Sequence, residues 1–191
     1  MPKNLIHVPV VRQRQDFSCG PAAVLALLRH WCHQAYATVE EDALYAPLET
    51  SVARGTEPEP MAALLTRSGV EAVYRHSDVT TAELELAVDA GHPPVVDLQA
   101  WRDDDTPWRE TWNAGHYVIM VGYDAERLFF ADPSTMSPEG YVYLPRGELD
   151  ERWHDLAGVD DRQLRRMAIF ARGVSPWAPP GPAPREAARL G

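Results

Sequence analysis

Cys19 and His116 are the residues whose types and settings point to covalent chemistry. A cysteine attacks only as its thiolate, and a free thiol is mostly protonated at neutral pH. The stretch Ser18-Cys19-Gly20-Pro21 runs directly into Ala22–Trp31. Pro21 suits the first turn of a helix, where its missing N–H costs nothing, and Ser18 is placed as the N-cap. Cys19 therefore falls at a helix N-terminus, where unpaired amides and the dipole favour an anion. Residues 22–28 are apolar on every face, which predicts a helix surrounded by protein. A buried structural cysteine is the competing reading on residue type alone.

The neighbours favour a nucleophile. Gly20 removes a side chain beside the thiol, which predicts room for a substrate backbone. Gln13, six residues upstream on an extended lead-in, is placed to turn its amide over the cysteine. With the Cys19 backbone N–H it would make an oxyanion hole; Gln15 is the competing candidate. His116 follows Gly115 and opens an apolar strand. A hairpin turning near residues 124–125 pairs His116 with a position between 132 and 134. That brings Asp132 beside it, where a carboxylate holds the imidazole's tautomer and stabilises its charge.

The elements that must position these groups change character along the chain. The first half alternates helices with two strands. Thr38-Val39-Glu40-Glu41 matches a capping box and predicts a short helix. Thr56 with Pro58 and Pro60 opens another helix, which stops at Gly69. Residues 80–90 form a third, and residues 70–74 and 94–99 are strands. The second half is β-rich: 116–123 and 127–131 form the hairpin, with further strands at 140–144 and 166–171. Residues 146–156 read as helical. Helices first and an antiparallel sheet second make an α+β domain over residues 1–173. Residues 174–191, rich in Pro and Ala, predict a mobile tail.

Three segments together, Gln13-x5-Cys19-Gly20-Pro21-Ala22, Gly115-His116-Tyr117-Val118-Ile119 and Ala131-Asp132-Pro133-Ser134, resemble the bacteriocin-processing, double-glycine leader peptidases and their stand-alone relatives. The resemblance spans roughly residues 6–145. It implies a papain-like fold, a helix bearing the buried nucleophile packed on the antiparallel sheet, and a cysteine peptidase. It also implies Cys19 as nucleophile, His116 as base, Asp132 as orienting residue and Gln13 as oxyanion donor. The substrate class it implies is a peptide or protein. Ser18 stands where the family commonly has Asp, and the long Cys19–His116 separation suggests an insertion at 101–113. Hydrolase and acyltransferase chemistry stay open, as does a quiet peptide-binding module.

The remaining features bound the reading. With 191 residues, 45% hydrophobic, the chain has material for one core. A net charge of -10 argues against nucleic acid and suits neutral or basic substrates. No apolar run is long enough to span a membrane, and the first ten residues do not read as a signal peptide. Two cysteines make no disulfide scaffold, so a reducing cytoplasm is the expected compartment. Cys19 and Cys32 lie roughly 220° apart around a helix, which argues against a bridge. His30, Cys32 and His33 do not converge as metal ligands, and Asp103-Asp104-Asp105 lacks the spacing of a calcium loop. No metal or cofactor is expected. Trp101, Trp108 and Trp112 flank that acidic run, with two readings open: a substrate wall, for which Trp101 and Trp112 are the candidates, or anchors of the loop. Oligomeric state is not legible.

Overall fold

The computed structural model describes residues 2, 5–157, 161–178 and 186–191. Helix α1 (Cys19–Trp31) is followed by a single turn α2 (His33–Tyr36), a 3-10 turn (Glu41–Leu44) and α3 (Pro58–Arg67). Next come β1 (Glu71–Arg75), α4 (Thr81–Asp89), β2 (Val95–Gln99), a 3-10 turn (Trp108–Glu110), β3 (Gly115–Tyr123), β4 (Arg127–Ala131) and β5 (Tyr141–Pro145). The chain ends with α5 (Arg146–Arg152), β6 (His154–Ala157), β7 (Arg162–Arg165), β8 (Ala168–Arg172) and β9 (Ala188–Arg189).

Seven strands form one sheet in the order β1-β8-β2-β3-β4-β5-β9, and β6 and β7 form a separate ribbon. All pairings are antiparallel except the short β5–β9 contact. Both faces of the sheet are covered, which explains the unbroken apolar run of β3. Tyr117, Ile119 and Val121 face a core built from α1, Met61 and Leu65 of α3, and Leu44 and Leu48. Val118 and Met120 face a second core with Leu84 and Val88 of α4 and Leu149 and Trp153.

Alanine and leucine give α1 strong helix propensity, and nearly every residue of it is buried. Each enclosed leucine contributes about 1.5–3 kcal/mol of burial, so packing fixes where the N-terminus of α1 points. Ser18 takes the N-cap position without capping. Its hydroxyl turns back to the Gln15 backbone, accepting from N–H and donating to C=O, which leaves the first-turn amides to Cys19's surroundings.

Thr80 and Glu83 close a full capping box at α4. At the box predicted over Thr38–Glu41, the turn begins two residues later as a 3-10 segment with Glu40 in the cap position and no side-chain cap. Its carboxylate instead receives Arg14.

Two predicted segments differ. The helix expected over 146–156 stops at Arg152, because the Trp153 indole turns into the core and donates to the Met167 carbonyl (2.8 Å). Residues 154–157 then pair with 162–165 as a β-ribbon. Where the composition after Val174 predicts a mobile tail, residues 186–191 return to the sheet edge. Leu190 is buried there and its N–H reaches the Tyr143 carbonyl (3.1 Å). Residues 179–185 of that segment lie outside the described residues.

Candidate active site

The β3–β4 hairpin builds half of the site. Asp124 caps its turn, accepting at Oδ1 from the backbone N–H groups of Glu126 (2.9 Å) and Arg127 (2.8 Å). Tyr123 pairs with Leu128, a bulge follows, and Ile119 pairs with Ala131. Continuing that register sets Ser134 across from His116, with Asp132 on the diagonal, close enough for side chains to meet. They do: His116 Nε2 lies 2.7 Å from Asp132 Oδ1, with both side chains almost wholly buried. The same oxygen accepts from the Ser134 N–H (2.7 Å) and hydroxyl (2.9 Å).

This arrangement commits Nε2 to the carboxylate, and the Cys19 thiol is close enough to act on the ring. Burial disfavours the charged imidazole, but hydrogen bonds to Asp132 and Cys19 and their negative charge outweigh it. The ring is raised to about 9. Asp132 moves the other way: burial opposes its charge, and His116 and Ser134 together hold it below the ordinary carboxylate range.

Gln13 is held close to this group by its backbone, whose N–H donates to the Pro133 carbonyl (3.0 Å), next to Asp132. Its side-chain Nε2 donates to the Gln15 carbonyl (2.9 Å), and its buried Oε1 has no partner among the described residues. The space beside Gly20 is not left for substrate. A Cβ there would sit 2.7 Å from Thr56 Cβ, so the glycine admits the α3 lead-in against α1. Tyr117 fastens that lead-in, its hydroxyl donating to the Thr56 carbonyl (3.0 Å).

The three tryptophans divide. Trp101 lies against the His116 ring, 5.0 Å between centroids, and is half exposed. Trp108 sits under the Arg152 guanidinium at 3.8 Å. Trp112 packs on His154 (4.4 Å) and beneath Arg165 (4.9 Å), an anchoring position against the β6–β7 ribbon.

Arg152 is fully buried and donates to the carbonyls of Gln99, Ala100 and Leu190. Burial lowers it to about 10 against the pull of Glu148, so it stays charged. It ties the loop after β2 to the chain's last residues.

Asp97 and Asp155 carry no motif that singles them out, yet both border the same cavity as Cys19. A cavity of about 160 Å³ beside Cys19 is lined by them, Gly115, Tyr117, Thr56 and Glu57 among others. Asp97 is buried on β2, directly across from Tyr117. Gln99 Nε2 donates to Asp155 Oδ1 (2.9 Å), and its Oε1 takes the Ala114 N–H (3.0 Å). Gly115 is a glycine because Asp155 occupies its side-chain position: a Cβ would lie 1.8 Å from Oδ2.

Among the described residues, no three or more His, Cys, Asp or Glu side chains gather as metal ligands, and no helix is long and apolar enough to cross a membrane. Burial lowers His30 to about 4, so it is neutral. Cys32 is a free thiol that donates to the Ser68 carbonyl.

The Peptidase_C39 like family model matches residues 5–160. The chain belongs to that family. No curated protein matches it. Among solved structures it is similar to a protein described as a C39-like peptidase from Bacillus anthracis, at 21% identity and a TM-score of 0.61, covering 90% of this chain and 98% of that one. The peptidase domain of Streptococcus ComA, a bi-functional ABC transporter involved in a quorum sensing pathway, matches at 17% identity and TM-score 0.60, covering 88% and 100%. A double glycine motif protease from an AMS/PCAT transporter, solved with a leader peptide, matches at 16% identity and TM-score 0.56, covering 90% and 96%. The fold is thus the papain-like α+β fold of this peptidase family.

Proposed function

We propose that the chain is a cysteine peptidase acting on a peptide or protein substrate. The observation that carries this reading is the buried relay from Asp132 through His116 to the Cys19 thiol at the start of α1. Cys19 Sγ attacks the amide carbonyl, and His116 Nδ1 delivers its proton to the leaving amine. Water then displaces the thioester, with the imidazole taking and returning a proton. Asp132 keeps Nε2 protonated, so Nδ1 is always the working nitrogen.

Negative charge developing on the carbonyl oxygen is met by the Cys19 backbone N–H, a first-turn amide without an intrahelical partner. The Gln13 amide, freed from the Gln15 carbonyl, is the second donor.

Two experiments test the proposal. Iodoacetamide is expected to modify Cys19 well before Cys32 at about pH 6, where ordinary thiols react slowly, and His116→Ala should slow it. Cys19→Ala should abolish cleavage of a peptide library while leaving the circular dichroism spectrum unchanged. Cleavage persisting in Cys19→Ala sinks the mechanism, and an inert Cys19 points to a module that binds peptides without cutting them.

A further inference from the structure

We propose that the cavity beside Cys19 is a subsite for a cationic group of the substrate, a protonated amine or guanidinium, received by Asp97 and Asp155. The inference rests on Cys19 being the nucleophile, since it concerns what the cavity next to that atom holds.

Four acidic residues line the cavity, Asp16, Glu57, Asp97 and Asp155, against one cation, the exposed Arg54. Asp97 is only 2% exposed, and its Oδ1 has no hydrogen-bond partner among the described residues. The side chain otherwise meets the His116 backbone N–H and the Asp155 carboxyl. A buried carboxylate oxygen left unmatched costs free energy that a native fold normally recovers through a partner. Asp97 is one of the residues that line the cavity.

Two adjoining carboxyl groups in such a place cannot both ionise cheaply, so they share a proton. Burial, then the Asp155 charge and Cys19, push Asp97 well above the ordinary carboxylate range. An entering ammonium or guanidinium replaces that proton, which leaves to solvent, and supplies donors to both carboxylates. The volume, about 160 Å³, exceeds the roughly 30 Å³ share of one water, so a side chain fits where a single solvent molecule would not fill it.

The pair is also built rigidly. Asp155 is held by Gln99 and presses on Gly115, the residue before the catalytic histidine. A cation seated there is therefore fixed relative to the reacting sulfur. A chain with a net charge of -10 adds a field that draws such substrates in.

The test uses the full chain and three small thiol reagents that differ in charge: 2-aminoethyl, methyl and 2-sulfonatoethyl methanethiosulfonate. Rates at Cys19 are read by mass mapping in about 0.5 M salt, where distant charges are screened. Each rate is divided by that with 2-mercaptoethanol. The normalised preference for the cation over the neutral reagent should be about tenfold or more, one charge-assisted hydrogen bond's worth. It should collapse in Asp155→Asn, and peptides bearing Lys or Arg near the cut should be preferred. Rapid reaction of wild-type Cys19 with the neutral reagent and no cation preference overturns the subsite while the nucleophile stands. A Cys19 that resists all three reagents overturns the nucleophile, and the subsite with it.

Discussion

Asp132→Asn isolates the charge of the relay from its geometry. The amide oxygen of asparagine can accept the same three donors, His116 Nε2–H and the Ser134 N–H and hydroxyl, so the ring keeps its place. Only the negative charge is lost. His116 is raised from 6.5 to about 9, and each unit corresponds to about 1.4 kcal/mol, so the charged ring contributes ~3 kcal/mol to folding. Cys19 supplies part of that rise, so the share removed with Asp132 is about 2–3 kcal/mol.

The sign fixes where it is seen. A raised histidine stabilises fully below its unfolded value and loses that contribution as pH climbs through about 9. Asp132 is lowered, so its side of the interaction is present above the ordinary carboxylate range and fades as pH falls through it. The destabilisation by Asp132→Asn should therefore be largest between roughly pH 4 and 6.5 and small near pH 10. Urea unfolding of both proteins at about pH 6 and pH 10 reads the difference directly. A stability loss equal at the two pH values would refute the reasoning, because a loss of packing alone does not titrate.

Gln13→Ala should lower the turnover of a cleaved peptide by about 10²–10³ with little change in KM, the loss typical of one oxyanion donor; turnover within twofold of wild type would assign the role elsewhere, Gln15 first. Arg152→Met should cost about 3–5 kcal/mol in urea unfolding, since three buried carbonyls lose their donor and Glu148 keeps only Arg189. It should also speed amide exchange in the 101–113 loop and at residues 186–191, and exchange rising in only one of the two would mean that Arg152 does not couple them.

What could be read along the chain divides according to how local its causes are. The His116–Asp132 meeting follows from one hairpin: a turn capped by Asp124 and two apolar runs set the register within a residue or two. The bulge between Met120 and Gly122 then decides which diagonal is used. Helix α1 is equally local, a proline in the first turn and an alanine–leucine run. Gly20 and Gly115 are both required by close packing, and Gly20 not by the room for a substrate backbone that its type suggested. Thr56, from a segment more than thirty residues on, fills the space that a substrate backbone was expected to use.

Asp97 and Asp155 show where local reasoning stops. Asp97 sits in an apolar strand where period-two patterning marks it only as one more inward position, and Asp155 falls at the end of a stretch whose composition suits a helix. Nothing within either segment signals the other. Their meeting depends on Trp153 turning into the core, on β6 pairing with β7, and on Gln99 reaching across to the His154 carbonyl and the Asp155 carboxylate. The His116–Asp132 pair is thus written into adjacent strands, whereas the acidic cavity beside Cys19 is a product of tertiary packing. Relatives that keep Cys19 and His116 can therefore differ in this cavity through changes at Asp97, Gln99 or Asp155 that leave the hairpin and the helix untouched.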